Sequence, residues 1–256
     1  NMEKSDRSQN VRISLPSKGR LMEDSRSFFA DCGLTFQQEN PRQYEASIPS
    51  QPNISVLFQR PADIVVSVRD GSVDFGVTGF DVVAERCGSN GDVMVIHDAL
   101  GFGGCKLCLA VPEGWTDIQD MGDLKTMAMK LSSPLRVATK YPYLTSRFLN
   151  EHAIKAELIA AEGTLETAPT IGYADIICDI VSSGQTLHDN RLRPLNDGIV
   201  LRSQAVLIAN RRSLIENTNC LETAKLLLEF FEAHLRAEQD LAVFANMRGE
   251  SPEAIA

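Results

Sequence analysis

The chain has 256 residues, of which 43% are apolar and 23% charged, the balance of a globular protein with room for one large or two ordinary domains. A net charge of −9 argues against nonspecific binding to nucleic acid or to an anionic membrane, so any polyanion site must be a local basic island. No apolar run approaches the ~20 residues of a membrane span, and no secretory signal is legible at the start.

Residues 1–10 are polar and patternless and read as a disordered tail. Val11 to Leu15 reads as a strand, and Leu21 to Cys32 as an amphipathic helix ended by Gly33. Ile54 to Gln59 is a strand, and Pro61 to Asp70 a short helix opening on proline. Phe75 to Gly79 is a short buried strand, and Asp81 to Glu85 starts a helix. Val93 to His97, Lys106 to Val111 and Leu135 to Ala138 are strands. A helix at Leu144 to His152 follows, then a strand at Ala156 to Ala160 and a short helical piece from Leu165 to Gly172. Ala174 to Val181 and Gln204 to Ala209 are the last strands of this series.

Leu221, Ala224, Leu228, Phe231 and Leu235 keep the spacing of one helix face and predict packing, on a lobe or at a subunit contact. Leu241 to Met247 reads as a new strand, with a helix start at Ser251. The alternation predicts α/β architecture, with mixed, mainly parallel sheets flanked by helices. About nine strands are too many for one tidy sheet, so two lobes with a cleft between them are expected. Ligands in such folds bind beyond the carboxyl ends of strands.

Six cysteines are scattered, and a disulfide scaffold would be shorter and denser in them. Cys105 and Cys108 form a CxxC, but inside an apolar strand, where positions three apart face opposite sides. Buried reduced thiols fit better than zinc. The four histidines have no metal spacing, and no Ser/His/Asp order is readable.

The densest signal is Asp175 to Leu187. An apolar run ends in Asp179, and Ser182-Ser183-Gly184-Gln185-Thr186 follows. Such a turn lets backbone N–H groups and hydroxyls converge on one phosphate, with a helix start adding its positive end. A carboxylate beside that cup suits a sugar hydroxyl or a phosphate-bound metal, so a phosphorylated sugar is the first ligand to consider. Asp175 shares a face with Asp179 but lies roughly 13 Å away along the strand. It reads as structural.

Cations stand at other strand ends. Lys18 and Arg20 flank Gly19 after the first strand, either gripping phosphates or lying on a solvated turn. Arg60 follows the second strand and Lys140 a later one; an exposed arginine is the plainer reading of Arg60. Thr78 and Gly79 form either a nucleotide-approach turn or a helix cap. Leu100 to Gly104 holds three glycines in five residues, a hinge or a place where a flat ring meets backbone. Glu166 at a helix start is either a dipole partner or a ligand contact.

In combination these motifs resemble ATP phosphoribosyltransferase, the first enzyme of histidine biosynthesis. The residues that carry the resemblance are Leu15 to Leu21, Asp74 to Gly79, Gly103 to Leu107, Arg136 to Pro142 and the Asp175 to Leu187 stretch. Asn40 to Tyr44 and Phe58 to Pro61 are similar to the plant-type branch of the long form. The resemblance implies a two-lobed fold of the periplasmic-binding-protein-like type II kind. Lobe I would take 11–100 and 196–240, lobe II 101–195, and 241–256 would begin a small third α/β regulatory domain, truncated here.

It also implies a pentosyltransferase that condenses ATP with phosphoribosyl pyrophosphate to phosphoribosyl-ATP and pyrophosphate, with Mg²⁺ on the pyrophosphate. Asp179, Ser182, Ser183, Gly184, Gln185, Thr186 and Glu166 would bind phosphoribosyl pyrophosphate, with Asp179 also placed for a metal-bound water. Arg20, Arg60, Thr78, Gly79, Leu100 and Phe102 would bind ATP. Lys18, Arg20 and Asp179 would carry catalysis through positioning and charge neutralisation. The family implies a homodimer or homohexamer, inhibition by histidine only with the full C-terminal domain, and a cytoplasmic location, plastid for a plant source. The rival is a two-lobed small-anion or nucleotide binding protein without chemistry.

Overall fold

The computed structural model describes residues 10–40, 43–87, 91–161 and 163–246, without the side chains of 240–246. Residues 1–9 of the tail expected over 1–10, part of the Asn40 to Tyr44 motif and the helix start at Ser251 lie outside these residues. The chain divides into two compact units.

The first unit holds the described residues within Asn1–Gly79, Ser89–Gly103 and Ala205–Ala256. Its strands are β1 (Val11–Pro16), β2 (Glu45–Ser47), β3 (Ile54–Gln59), β4 (Phe75–Gly79), β5 (Val93–His97) and β11 (Ala205–Asn210), in the order β2-β3-β1-β4-β11-β5. β1 runs parallel to β3 and β4, because helices α1 (Gly19–Asp31) and α2 (Pro61–Arg69) return the chain to the same end. Consequently Lys18, Arg60 and Gly79 leave the sheet at one edge. Gly76 lets α2 lie against β4: a Cβ there would stand 2.5 Å from Ile64 Cγ2.

The core of this unit is aromatic. Phe28 and Phe29 of α1 meet Phe231 edge-on, with ring centres 4.9 and 5.3 Å apart. Phe231 lies on α9 (Thr218–Asn246), which follows α8 (Arg211–Glu216). The expected stripe on α9 packs on its own unit: Ala224 and Phe231 are buried, Leu228 and Leu235 partly so, and Leu227 joins them while Leu221 faces out. Over residues 241–246 of the strand expected at Leu241 to Met247 the chain is helical instead, since α9 continues through Asn246. No Gly or Pro interrupts this Ala-, Leu- and Glu-rich sequence, so helix propensity outlasts the short strand-like run.

The second unit holds the described residues within Phe80–Gly88 and Gly104–Gln204. Its strands are β6 (Cys105–Pro112), β7 (Leu135–Thr139), β8 (Ala156–Ala160), β9 (Ile176–Val181) and β10 (Leu192–Ser203), in the order β10-β6-β9-β7-β8. α3 (Phe80–Cys87), α4 (Met121–Ala128), α5 (Pro142–Glu151), α6 (Ala168–Ile171) and α7 (Gln185–Asp189) complete it. β7 is parallel to β8 and β9, whereas β6 pairs antiparallel with β9 and β10. Both sheets are thus mixed, with parallel pairing confined to strands joined through helices and antiparallel pairing elsewhere, a smaller parallel share than expected.

Three boundaries differ from the sequence expectation. Phe80–Cys87 goes with the second unit, and so do residues 196–204, because β10 runs beside β6 as far as Ser203, whereas residues 101–103 stay with the first. β10 itself escapes pattern reading. Pro194 and Asn196-Asp197-Gly198 look like a turn, yet they form an irregularity within one strand, between the pairs Pro194–Ala110 and Ile199–Cys108.

Candidate functional site

β9 enters the second unit's core with Ile176, Ile177 and Cys178 fully buried, and then delivers Asp179 to a half-buried position. The register fixes what stands beside it. Thr139 pairs with Cys178, so Lys140 and Asp179 are the next residues on two adjacent parallel strands. The Asp179 carboxylate accepts from the Ile180 amide at 2.8 Å. Its pKa is raised: burial pushes it up most, the Ile180 N–H and the Lys140 ammonium pull it down, and Glu166 pushes it up again.

Beyond Val181 the chain turns through exposed Ser182 and Ser183 to Gly184, whose φ of +81° is left-handed. Gly184 caps α7, so the amides of Gln185 and Thr186 lack intrahelical partners at a helix start. Gln185 N–H donates to Ser183 Oγ at 3.3 Å and its side-chain amide to Asp189 at 2.6 Å, which closes the turn. Hydroxyls, amides, one cation and one half-buried acid therefore occupy the carboxyl ends of β7 and β9. This arrangement can hold a phosphate and a polyol together.

Asp175 lies at the other end of β9. Arg136 donates to it from Nη2 at 2.7 Å, from Nε at 3.3 Å and from its amide at 2.8 Å. Asp175 therefore fastens β7 to β9 and is spoken for as a structural residue.

In the first unit Lys18, Arg20 and Arg60 are exposed. Arg20 forms a surface pair with Asp24 at 3.6 Å. The Ser17 amide donates to the Gln59 carbonyl at 2.9 Å, so the turns carrying Lys18 and Arg60 are joined. Three expected nucleotide contacts are placed differently. Thr78 is fully buried, with its hydroxyl directed at the Pro61 carbonyl 3.5 Å away. Leu100 is 1% exposed and belongs to the hydrophobic core, while Phe102 stacks against Phe28 at 5.3 Å. Their glycine neighbours suggested open backbone, but Leu100 is buried and Phe102, partly buried, packs against the same core.

A cluster in the second unit was not legible in the sequence. The Tyr141 hydroxyl donates to Asp81 Oδ2 at 2.7 Å, and the Ser203 hydroxyl to Asp81 Oδ1 at 2.6 Å. Asp81 is 6% exposed. Burial raises the Tyr141 pKa far above the phenol range, with the charge of Asp81 and its hydrogen bond adding to the effect. No group of three or more His, Cys, Asp or Glu side chains that could hold a metal ion occurs among the described residues.

The family model for HisG, ATP phosphoribosyltransferase, matches residues 60–231. ATP phosphoribosyltransferase 2, chloroplastic, of Arabidopsis thaliana is 45% identical over 97% of this chain and 61% of its own length. An ATP phosphoribosyltransferase of Rhodopseudomonas palustris is 36% identical over 93% of this chain and 74% of its own. The chain thus spans about three fifths of the plant relative. A solved ATP phosphoribosyl transferase (HisG:HisZ) complex from Thermotoga maritima aligns over 89% of this chain and 99% of that chain, with TM-score 0.68 and 24% identity. The GluR0 ligand binding core shares the fold at TM-score 0.52 and 13% identity, over 88% of this chain and 98% of that one.

Proposed function

The chain belongs to the ATP phosphoribosyltransferase family, and from that premise we propose that it joins ATP to phosphoribosyl pyrophosphate. Adenine N1 attacks the anomeric carbon of phosphoribosyl pyrophosphate. The bond from that carbon to the pyrophosphate oxygen breaks, and phosphoribosyl-ATP and pyrophosphate leave.

The observation that carries this reading is the end of β9, where half-buried Asp179 opens onto the Ser182 to Thr186 turn. Ser182, Ser183, Thr186 and the amides at the start of α7 would take the 5-phosphate. Asp179 would accept hydrogen bonds from the ribose hydroxyls, and Glu166 would lie beside them. Lys140 would meet negative charge on the same substrate. Lys18, Arg20 and Arg60, on joined turns of the first unit, would neutralise the triphosphate of ATP. Orientation and charge neutralisation supply the rate; no general base is required of a ring nitrogen that already carries a lone pair.

Mg²⁺ would arrive on the pyrophosphate, as part of the substrate. Homo-oligomer formation and a cytoplasmic location belong to the same proposal, as does a plastid location for a plant chain, which the chloroplastic relatives' names support. Inhibition by histidine is proposed only for a chain that carries the regulatory domain.

The test is to incubate the protein with ATP, phosphoribosyl pyrophosphate and Mg²⁺ and follow the ultraviolet absorbance of the N1-ribosylated adenine. Product formation dependent on both substrates supports the transferase. Tight binding of either substrate without product would favour a binding protein instead.

A further inference from the structure

Helix α3 contributes two acids to the β7–α5 turn, and neither interaction is explained by the capping of α3 itself. Asp81 is buried and both of its carboxylate oxygens are occupied, by Tyr141 and by Ser203. The Ser203 hydroxyl also accepts from the Asp81 amide at 2.9 Å, which fixes the carboxylate against β10. One turn on, Glu85 takes the first amides of α5: Tyr143 N–H at 2.9 Å on one oxygen and Leu144 N–H at 2.9 Å on the other.

Between these anchors lies Lys140. On its other side the Thr139 hydroxyl accepts from the Tyr141 amide at 2.9 Å and meets the Thr145 hydroxyl at 3.2 Å. Thr139 itself is locked in register with Cys178, the residue before Asp179. The exposed lysine is therefore held by its neighbours on both sides, although its own side chain is free to reach a ligand.

We propose that Asp81, acting through Tyr141, and Glu85, acting through the start of α5, are positioning residues that hold Lys140 beside Asp179 for the phosphoribosyl substrate. The inference deepens the transferase assignment and rests on it for the identity of that substrate. A buried acid with two hydroxyl donors is an expensive device for capping alone, since a surface Ser or Thr would serve. Its value lies in rigidity: a fully satisfied buried network permits one arrangement of the turn.

The test is a double-mutant cycle on the full 256-residue chain. Tyr141→Phe removes one hydroxyl and no charge. It is expected to raise KM for phosphoribosyl pyrophosphate on the order of tenfold, as loss of a hydrogen bond to a charged group allows, with kcat changed less. Lys140→Met should raise the same KM, and the double variant should be no worse than Lys140→Met alone. Multiplying effects, or an unchanged KM in Tyr141→Phe, would overturn the inference.

A second readout does not need turnover. Hydrogen exchange of the amides at 140–145 should quicken in Tyr141→Phe and in Glu85→Gln while the rest of the unit keeps its protection. Unchanged exchange there overturns the inference whatever the chain catalyses. Local quickening in these variants, when the unsubstituted chain makes no product, would sink the transferase assignment and leave the positioning role standing.

Discussion

Arg136 and Asp175 form a two-pronged pair, Nη2 to Oδ1 at 2.7 Å and Nε to Oδ2 at 3.3 Å, that ties the starts of β7 and β9 together. Asp175 Oδ2 also receives the Arg136 amide, so backbone and side chain converge on one carboxylate. Burial alone would raise the Asp175 pKa, but the hydrogen bonds and charge of Arg136 prevail and hold it below the usual carboxylate range. Asp175→Asn should destabilise the protein by about 2 kcal/mol, the worth of hydrogen bonds to a charged group. The sign of the pH effect follows. A carboxyl with a depressed folded pKa adds stability above its unfolded value near ~4, and that stability is lost as pH falls through the folded value. Acid denaturation of wild type and Asp175→Asn should therefore converge at low pH; a constant gap between them contradicts the pairing.

Leu100 separates packing from ligand contact. Leu100→Ala should lower stability by about 2–5 kcal/mol, as for a buried leucine, and leave the KM for ATP within about twofold. Thermal melting and substrate titration of one preparation decide it. A large rise in KM with little change in melting would return Leu100 to the nucleotide pocket.

Gly184 is held at φ +81°, and a Cβ there would meet only Val181 Cγ1, at 3.9 Å. Substitution therefore strains backbone without a clash. Gly184→Val should weaken binding of phosphoribosyl pyrophosphate markedly, whereas Gly184→Asn should weaken it less, since asparagine visits the left-handed region more readily. Equal losses in calorimetric titration would mean that side-chain bulk, and not φ, matters at the turn.

Cys32, Cys178 and Cys220 are buried, and burial first of all pushes each thiol up to about 12. At neutral pH the native protein should leave these three unlabelled by a thiol reagent over hours, and unfolding should expose them. Rapid labelling of Cys178 in the folded state would contradict the packing of β9.

Much of this fold can be read from the chain because its strands are short, apolar and bounded by strong breakers. Ile54–Gln59 and Ala156–Ala160 form as their patterns predict. Residues at strand ends, such as Asp179 and the cations after β1, β3 and β7, were legible for the same reason. β10 was not, because a Pro and an Asn-Asp-Gly run inside a strand look the same in sequence as a turn. Asp81 was visible only as the start of a helix. Its partners Tyr141 and Ser203 lie 60 and 122 positions away, and no local pattern announces contacts at such separations.

The most direct test of the central claim is the turnover of Asp179→Asn beside wild type, with melting recorded on the same samples. Phosphoribosyl-ATP formation should fall by at least about a hundredfold, the scale of losing one preorganised electrostatic contact. Melting should stay within a few degrees, because the raised pKa of Asp179 means that its charge is held against the preference of its surroundings. Wild-type turnover by Asp179→Asn would contradict the account.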